Sequence, residues 1–150
     1  MIAFFILVAL LLCVKYLNID KIKEIFGFDR LVVITSQAYT DLSNDYISNG
    51  NLYYYKLSKE EGKEFLKEKK KYKIEGISFY FDKKYDLNYF KTLFDNNLSK
   101  ETQLENLKVY YGFYKNFEDY KMIDGKKINV QLAKTEDEWV VGFPLILTGF

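Results

Sequence analysis

The sequence predicts an α+β fold: a mainly antiparallel sheet with two or three packed helices, behind an N-terminal hydrophobic membrane segment. Three observations carry this. Residues 1–14 (MIAFFILVALLLCV) contain no charged side chain. Two segments between residues 58 and 98 repeat apolar residues at helical spacing behind a capping side chain. From Leu104 the apolar period drops to two, that of a half-buried strand. The 150 residues divide into a membrane anchor or signal segment, 1–17, and one globular domain, 18–150.

Composition narrows function by exclusion. Lys and Arg number 22 against 21 Asp and Glu, and Arg30 is the single arginine. Phosphate affinity needs clustered cations, so no nucleic-acid partner is expected. The chain has no histidine, which removes Ser-His and Cys-His catalysis and histidine metal sites. Cys13 stands alone, which excludes an intramolecular disulfide and a cysteine metal cluster. Neither a metal nor a cofactor is expected. With 49% apolar residues, 19% aromatic and one proline, the chain is not of the disordered class.

Residues 1–14 reach ~21 Å as a helix, and ~25 Å if counted to Leu17, short of the ~30 Å hydrocarbon core. Lys15 can snorkel to a headgroup, so the run suits a minimal span or a signal h-region. A buried core helix is the competing reading, disfavoured by apolarity all round. No small-x-small pair closes the run, which favours a retained single-pass anchor over a cleaved signal. Lys15, Lys21 and Lys23 follow it, and the positive-inside rule alone would put the domain in the cytoplasm. A hydrophobic segment heading an otherwise soluble chain more often serves export, so an extracytoplasmic domain is the expectation.

Residues 21–26 suit a short helix ending at Gly27. The run at 31–34 (LVVI) is apolar on both pleat faces, the mark of a central strand. Tyr39, Leu42, Tyr46 and Ile47 share a helical face stopped by Gly50, and a helix is favoured there. The alternative is a hairpin turning at Asn49-Gly50. Residues 52–55 (LYYY) read as a strand. Ser58 and Glu61 form a capping box that starts a helix at Lys59, with Phe65, Leu66 and Tyr72 inward and Lys63, Lys67 and Lys70 wet. Ile77, Phe79 and Phe81 alternate with Ser78, Tyr80 and Asp82 as a half-buried strand. Asp86 caps a helix bearing Leu87, Phe90, Leu93, Phe94 and Leu98. Asp124-Gly125 turns a hairpin between residues 120–123 and 127–133, with Ile128, Val130 and Leu132 inward. After a turn at 135–138, Trp139, Val141, Phe143, Leu145 and Leu147 alternate; Pro144 predicts an edge or a bulge.

No constellation identifies a catalytic residue. The lysine run at 67, 69, 70, 71 and 73 reads first as a solvated helix end, with contact to anionic headgroups as the alternative. Glu118-Asp119 and Glu136-Asp137-Glu138 are the obvious carboxylate groupings for a hydrolase, but both fall in expected turns. Strand alternation turns Tyr54, Tyr110 and Tyr114 outward as possible partner-binding residues, although exposed tyrosines also pair across strands.

The stretches at 108–113 (KVYYGF), 125–133 (GKKINVQLA) and 139–146 (WVVGFPLI) resemble the end of the YwmB-like family of Firmicute envelope proteins. The resemblance covers about a third of the chain. It implies export and a fold likened to that of TATA-box-binding protein, with no catalytic motif to carry over and no DNA binding. The functional expectation is a membrane-tethered, non-catalytic binding or assembly module. Its membrane contact is residues 1–17, and its partner is an envelope protein or cell-wall polymer. A carboxylate-dependent envelope hydrolase and a purely structural envelope domain are the alternatives.

Overall fold

The computed structural model describes residue 25 and residues 27–104, 106–115 and 119–146, side chains excepted at 99–101 and 104. The leader at 1–17 and most of the short helix expected at 21–26 lie outside them. No helix among the described residues is long and apolar enough to cross a membrane. The fold is α+β on an antiparallel sheet. In chain order the elements are β1 (Arg30–Thr35), β2 (Tyr46–Asn49), β3 (Leu52–Ser58), α1 (Lys59–Glu68) and a 3-10 turn (Lys69–Lys71). Then come β4 (Ile74–Asp82), α2 (Leu87–Leu93), β5 (Leu98–Leu104), β6 (Leu107–Gly112), β7 (Lys121–Ile123), β8 (Lys126–Ile128), β9 (Val130–Lys134) and β10 (Glu138–Phe143). Eight strands form one sheet in the order β2-β3-β1-β4-β10-β9-β6-β5, and β7-β8 is a separate hairpin.

The middle of the sheet is buried on both sides. Paired residues share a face, so Leu31, Phe79, Val141 and Leu132 form one row across β1, β4, β10 and β9. That face carries the main core. Rings link across it: Phe28 to Phe79 at 5.3 Å, Phe79 to Phe143 at 6.0 Å and Phe90 to Trp139 at 4.9 Å. The Trp139 indole N–H donates to the Tyr85 carbonyl at 2.8 Å, so the largest buried ring leaves no orphan donor.

Caps fix both helices. Ser58 and Glu61 exchange the two bonds of a capping box at the start of α1. Asp86 accepts from the Tyr89 N–H at 2.9 Å to open α2. That helix stops at Leu93, because Asp95 and Asn96 take positive φ of 52° and 59°. Leu98, expected on its stripe, instead begins β5, a strand hidden behind the helical spacing.

Three further expectations are corrected. Residues 46–49 are a strand, and the hairpin prevails over the helix. Gly50 takes φ +61° in a two-residue loop. Tyr39 and Leu42 still reach the core, but from a loop. The Tyr39 N–H donates to the Tyr55 hydroxyl at 2.6 Å, and the Tyr39 hydroxyl accepts from the Lys73 N–H at 2.9 Å. Tertiary partners thus replace the helical ladder. β4 is not half-buried, since Ser78 is 0% and Tyr80 8% exposed. β10 is not an edge: it lies between β4 and β9, and Pro144 falls just beyond its end.

The second strand of the Asp124-Gly125 hairpin divides at Asn129. The turn itself forms as expected, with φ of 50° and 75°. Asn129 is 1% exposed, and its side chain substitutes for a strand neighbour. Its Oδ1 accepts from the Tyr114 N–H at 2.6 Å, and its Nδ2 donates to the Tyr114 carbonyl at 2.9 Å. Asn129→Ala removes both partners from buried backbone. Urea unfolding is expected to show a loss of about 2–4 kcal/mol.

Candidate docking surface

The sheet's second face holds a smaller apolar cluster of Val32, Ile34, Tyr80 and Val140, flanked by Leu52, Tyr54 and Ile146. Part of its cover comes from the chain beyond β10. The Phe143–Pro144 peptide is cis, and the residues after it cross back over Gly142. A Cβ on Gly142 would lie 2.5 Å from the Ile146 nitrogen, so only glycine admits this approach. The Ile146 N–H donates to Gln131 Oε1 at 2.8 Å and pins the crossing. Ser78, central on this face, keeps a buried hydroxyl with no hydrogen-bond partner among the described residues.

Arg30 closes one end of the face. Its guanidinium lies 3.7 Å from the Tyr80 ring centroid, and Nη2 donates to both Glu138 oxygens, at 2.6 and 2.9 Å. Both side chains keep substantial solvent contact, at 48% and 30%, so the ion pair contributes at most about 1 kcal/mol. The stacked planar cation also covers Tyr80.

At the other end the face runs out to β3 and β2. Ile47 pairs with Tyr54 and is 54% exposed, while Tyr46, on the opposite face, is 46% exposed and lies 5.3 Å from the Tyr55 ring. Composition alone could have marked this edge: four residues without charge or proline follow Asp45. A second exposed pair, Tyr120 at 45% and Met122 at 59%, sits at the β7-β8 hairpin.

The three tyrosines singled out by sequence separate. Tyr54 is half-buried on the second face, within reach of the Ile47 edge. Tyr110 and Tyr114 do not point outward, being 9% and 2% exposed in the main core. Register explains the inversion: Tyr110 pairs with Leu132 on the helix side, and Tyr111 pairs with Gln131 on the other. Apolar residues on both faces of β6 left the phase ambiguous.

Within the lysine run, Lys67 and Lys71 each bond the glutamate three residues earlier, as Lys63 does ahead of it, and Lys69 is buried. The glutamate hydrogen bonds, then their charge, raise the pKa of Lys67 and Lys71. A groove of ≈ 560 Å³ beside α1 is lined by Ile25, Phe28 and Leu66 and by charges of both signs, Lys59, Glu60, Lys63, Glu64 and Lys67. Of the carboxylates considered for hydrolysis, Glu118 lies outside the described residues, Asp119 is half-buried, Glu136 and Asp137 are exposed, and Glu138 is taken by Arg30. No group of three or more Asp, Glu, Cys or His among the described residues could hold a metal ion.

No family model, no curated protein and no solved structure matches this chain.

Two measurements check the placement. Tyr114→Ala is expected to cost about 3 kcal/mol, as for other buried aromatic truncations. Tyr54→Ala is expected to cost roughly 1 kcal/mol, because the side chain is only half-buried. Burial raises the pKa of Tyr72, aided by Asp41, and burial followed by Tyr85 raises that of Tyr89. The fold favours both neutral phenols, so their contribution is complete below the ordinary tyrosine value of ~10 and is lost as pH rises through the higher folded values. In alkaline absorbance titration, Tyr72→Phe and Tyr89→Phe are each expected to remove one late-ionising tyrosine.

Proposed function

We propose that this chain is a membrane-tethered, extracytoplasmic binding or assembly module that acts without catalysis. The observation that carries the reading is the exposed, uncharged β2 edge with Ile47 beside half-buried Tyr54. Solvent-facing apolar side chains at an unprotected strand edge cost solubility and favour contact. Residues 1–17 supply the tether, and the partner is an envelope protein or cell-wall polymer. Support for contact over hydrolysis comes from the carboxylates: Glu138 is committed to Arg30 and Asp86 to capping α2. Kinship with the YwmB-like envelope proteins belongs to the same proposal. The three stretches that resemble them contain β6, β9 and β10, which are neighbours in the sheet, and β8 of the separate hairpin.

Flotation and protease accessibility test the tether and its sidedness together. The full chain is expected to float with membranes and to lose its domain to trypsin added outside intact cells. A chain that remains in the aqueous fraction with residues 1–17 attached, or a domain cut only after lysis, overturns the reading.

A further inference from the structure

The two edges of the sheet differ. β5 carries Lys100 and Glu101 in its sequence and a register shift between Leu98 and Lys100, features that discourage pairing with another strand. β2 (YISN) has no charge, proline or register shift, and all four of its residues are exposed. Its outward backbone groups follow from the pairing. Asn49 and Leu52 close a two-residue loop and so form a hydrogen-bonded pair, as do Ile47 and Tyr54 one step on. Lys56 N–H donates to the Asp45 carbonyl at 3.0 Å in the same phase. The N–H and C=O groups of Tyr46 and Ser48 therefore face away from β3.

We propose that the protein partner of this edge is a second copy of this chain, whose β2 pairs antiparallel with β2 about a two-fold axis at Ile47. In that register Tyr46 lies opposite the partner's Ser48, and every outward N–H and C=O of Tyr46 and Ser48 is bonded. Ile47 meets the partner's Ile47 at a non-hydrogen-bonded position, where Cα atoms approach to ~4.5 Å and side chains are closest. A side chain now 54% exposed is thereby covered. Asp45 falls opposite the partner's Asn49, so no like charges meet. The contact is isologous and closes at two copies. A strand this short buries less than the ~1,200 Å² of a stable solution interface. Pairing therefore rests on the membrane tether of the preceding reading, which raises the local concentration.

Disulfide trapping in full-length protein tests the register. In a Cys13→Ser background, Ile47→Cys and Asn49→Cys place thiols on the same face of β2, both exposed. Only the pair at 47 comes within disulfide reach in the proposed dimer. Each chain is reconstituted in phosphatidylethanolamine–phosphatidylglycerol vesicles and mildly oxidised. Ile47→Cys is expected to give several-fold more covalent dimer than Asn49→Cys. Mixed Tyr46→Cys and Ser48→Cys chains are expected to form the mixed dimer in preference to either homodimer, which checks the register should Ile47→Cys fail to fold. Equal trapping at 47 and 49, or none at 47 and no preference in the mixture, overturns the proposal; the latter is also the result if a foreign strand is the natural occupant. Flotation of the same samples reads the tether separately, so failure of that reading is distinguishable from failure of this one.

Discussion

Burial of β4 on both faces is the constraint on which the rest of the molecule depends. Alternate residues of this strand face opposite layers, and Phe79 and Ser78 are each 0% exposed. A strand so placed needs a hydrogen-bonded neighbour on each side and cover above and below. β1 and β10 supply the neighbours. The helices and an aromatic network cover one face. On the other, cover comes from smaller devices: the crossing at Ile146, the guanidinium of Arg30 and the half-buried Tyr54.

In a chain that otherwise uses lysine, the single arginine stands where a flat cation is required. An ammonium would carry the same charge to Glu138 but could not lie as a plane across the Tyr80 ring. The apolar face thus ends in a lid that is itself polar, and the strand ends beneath it remain solvated. At the opposite end no equivalent closure is present among the described residues, and Ile47 is 54% exposed.

Much of the fold was legible in the sequence. The capping box at Ser58, the cap at Asp86, the Asp124-Gly125 turn and the β-branched run of β1 each rest on local chemistry that tertiary context does not override. The failures share another cause. Tyr39, Leu42, Tyr46 and Ile47 match a helical face, yet two of them serve a loop held by long-range tyrosine hydrogen bonds and two serve a strand. Leu98 satisfied a helical stripe in the same way. Tyr110 and Tyr114 read as outward in the sequence because period two does not identify the deeper face when both are apolar. Tyr54, by contrast, keeps its place near the surface, whereas the neighbouring β2 edge depended on resolving helix against hairpin.

The Asn129 amide, standing in for a stretch of backbone, has a consequence for how this architecture can vary. Because the ladder is completed by a side chain on the sheet side of the break, the β7-β8 arm hangs outside the main ladder. Its tip can be lengthened, shortened or exchanged for another sequence while the register of β6, β9 and β10 stays locked. The protein thus carries a ready attachment point for grafted epitopes, and a place where related chains can diverge in surface chemistry without rebuilding their interior.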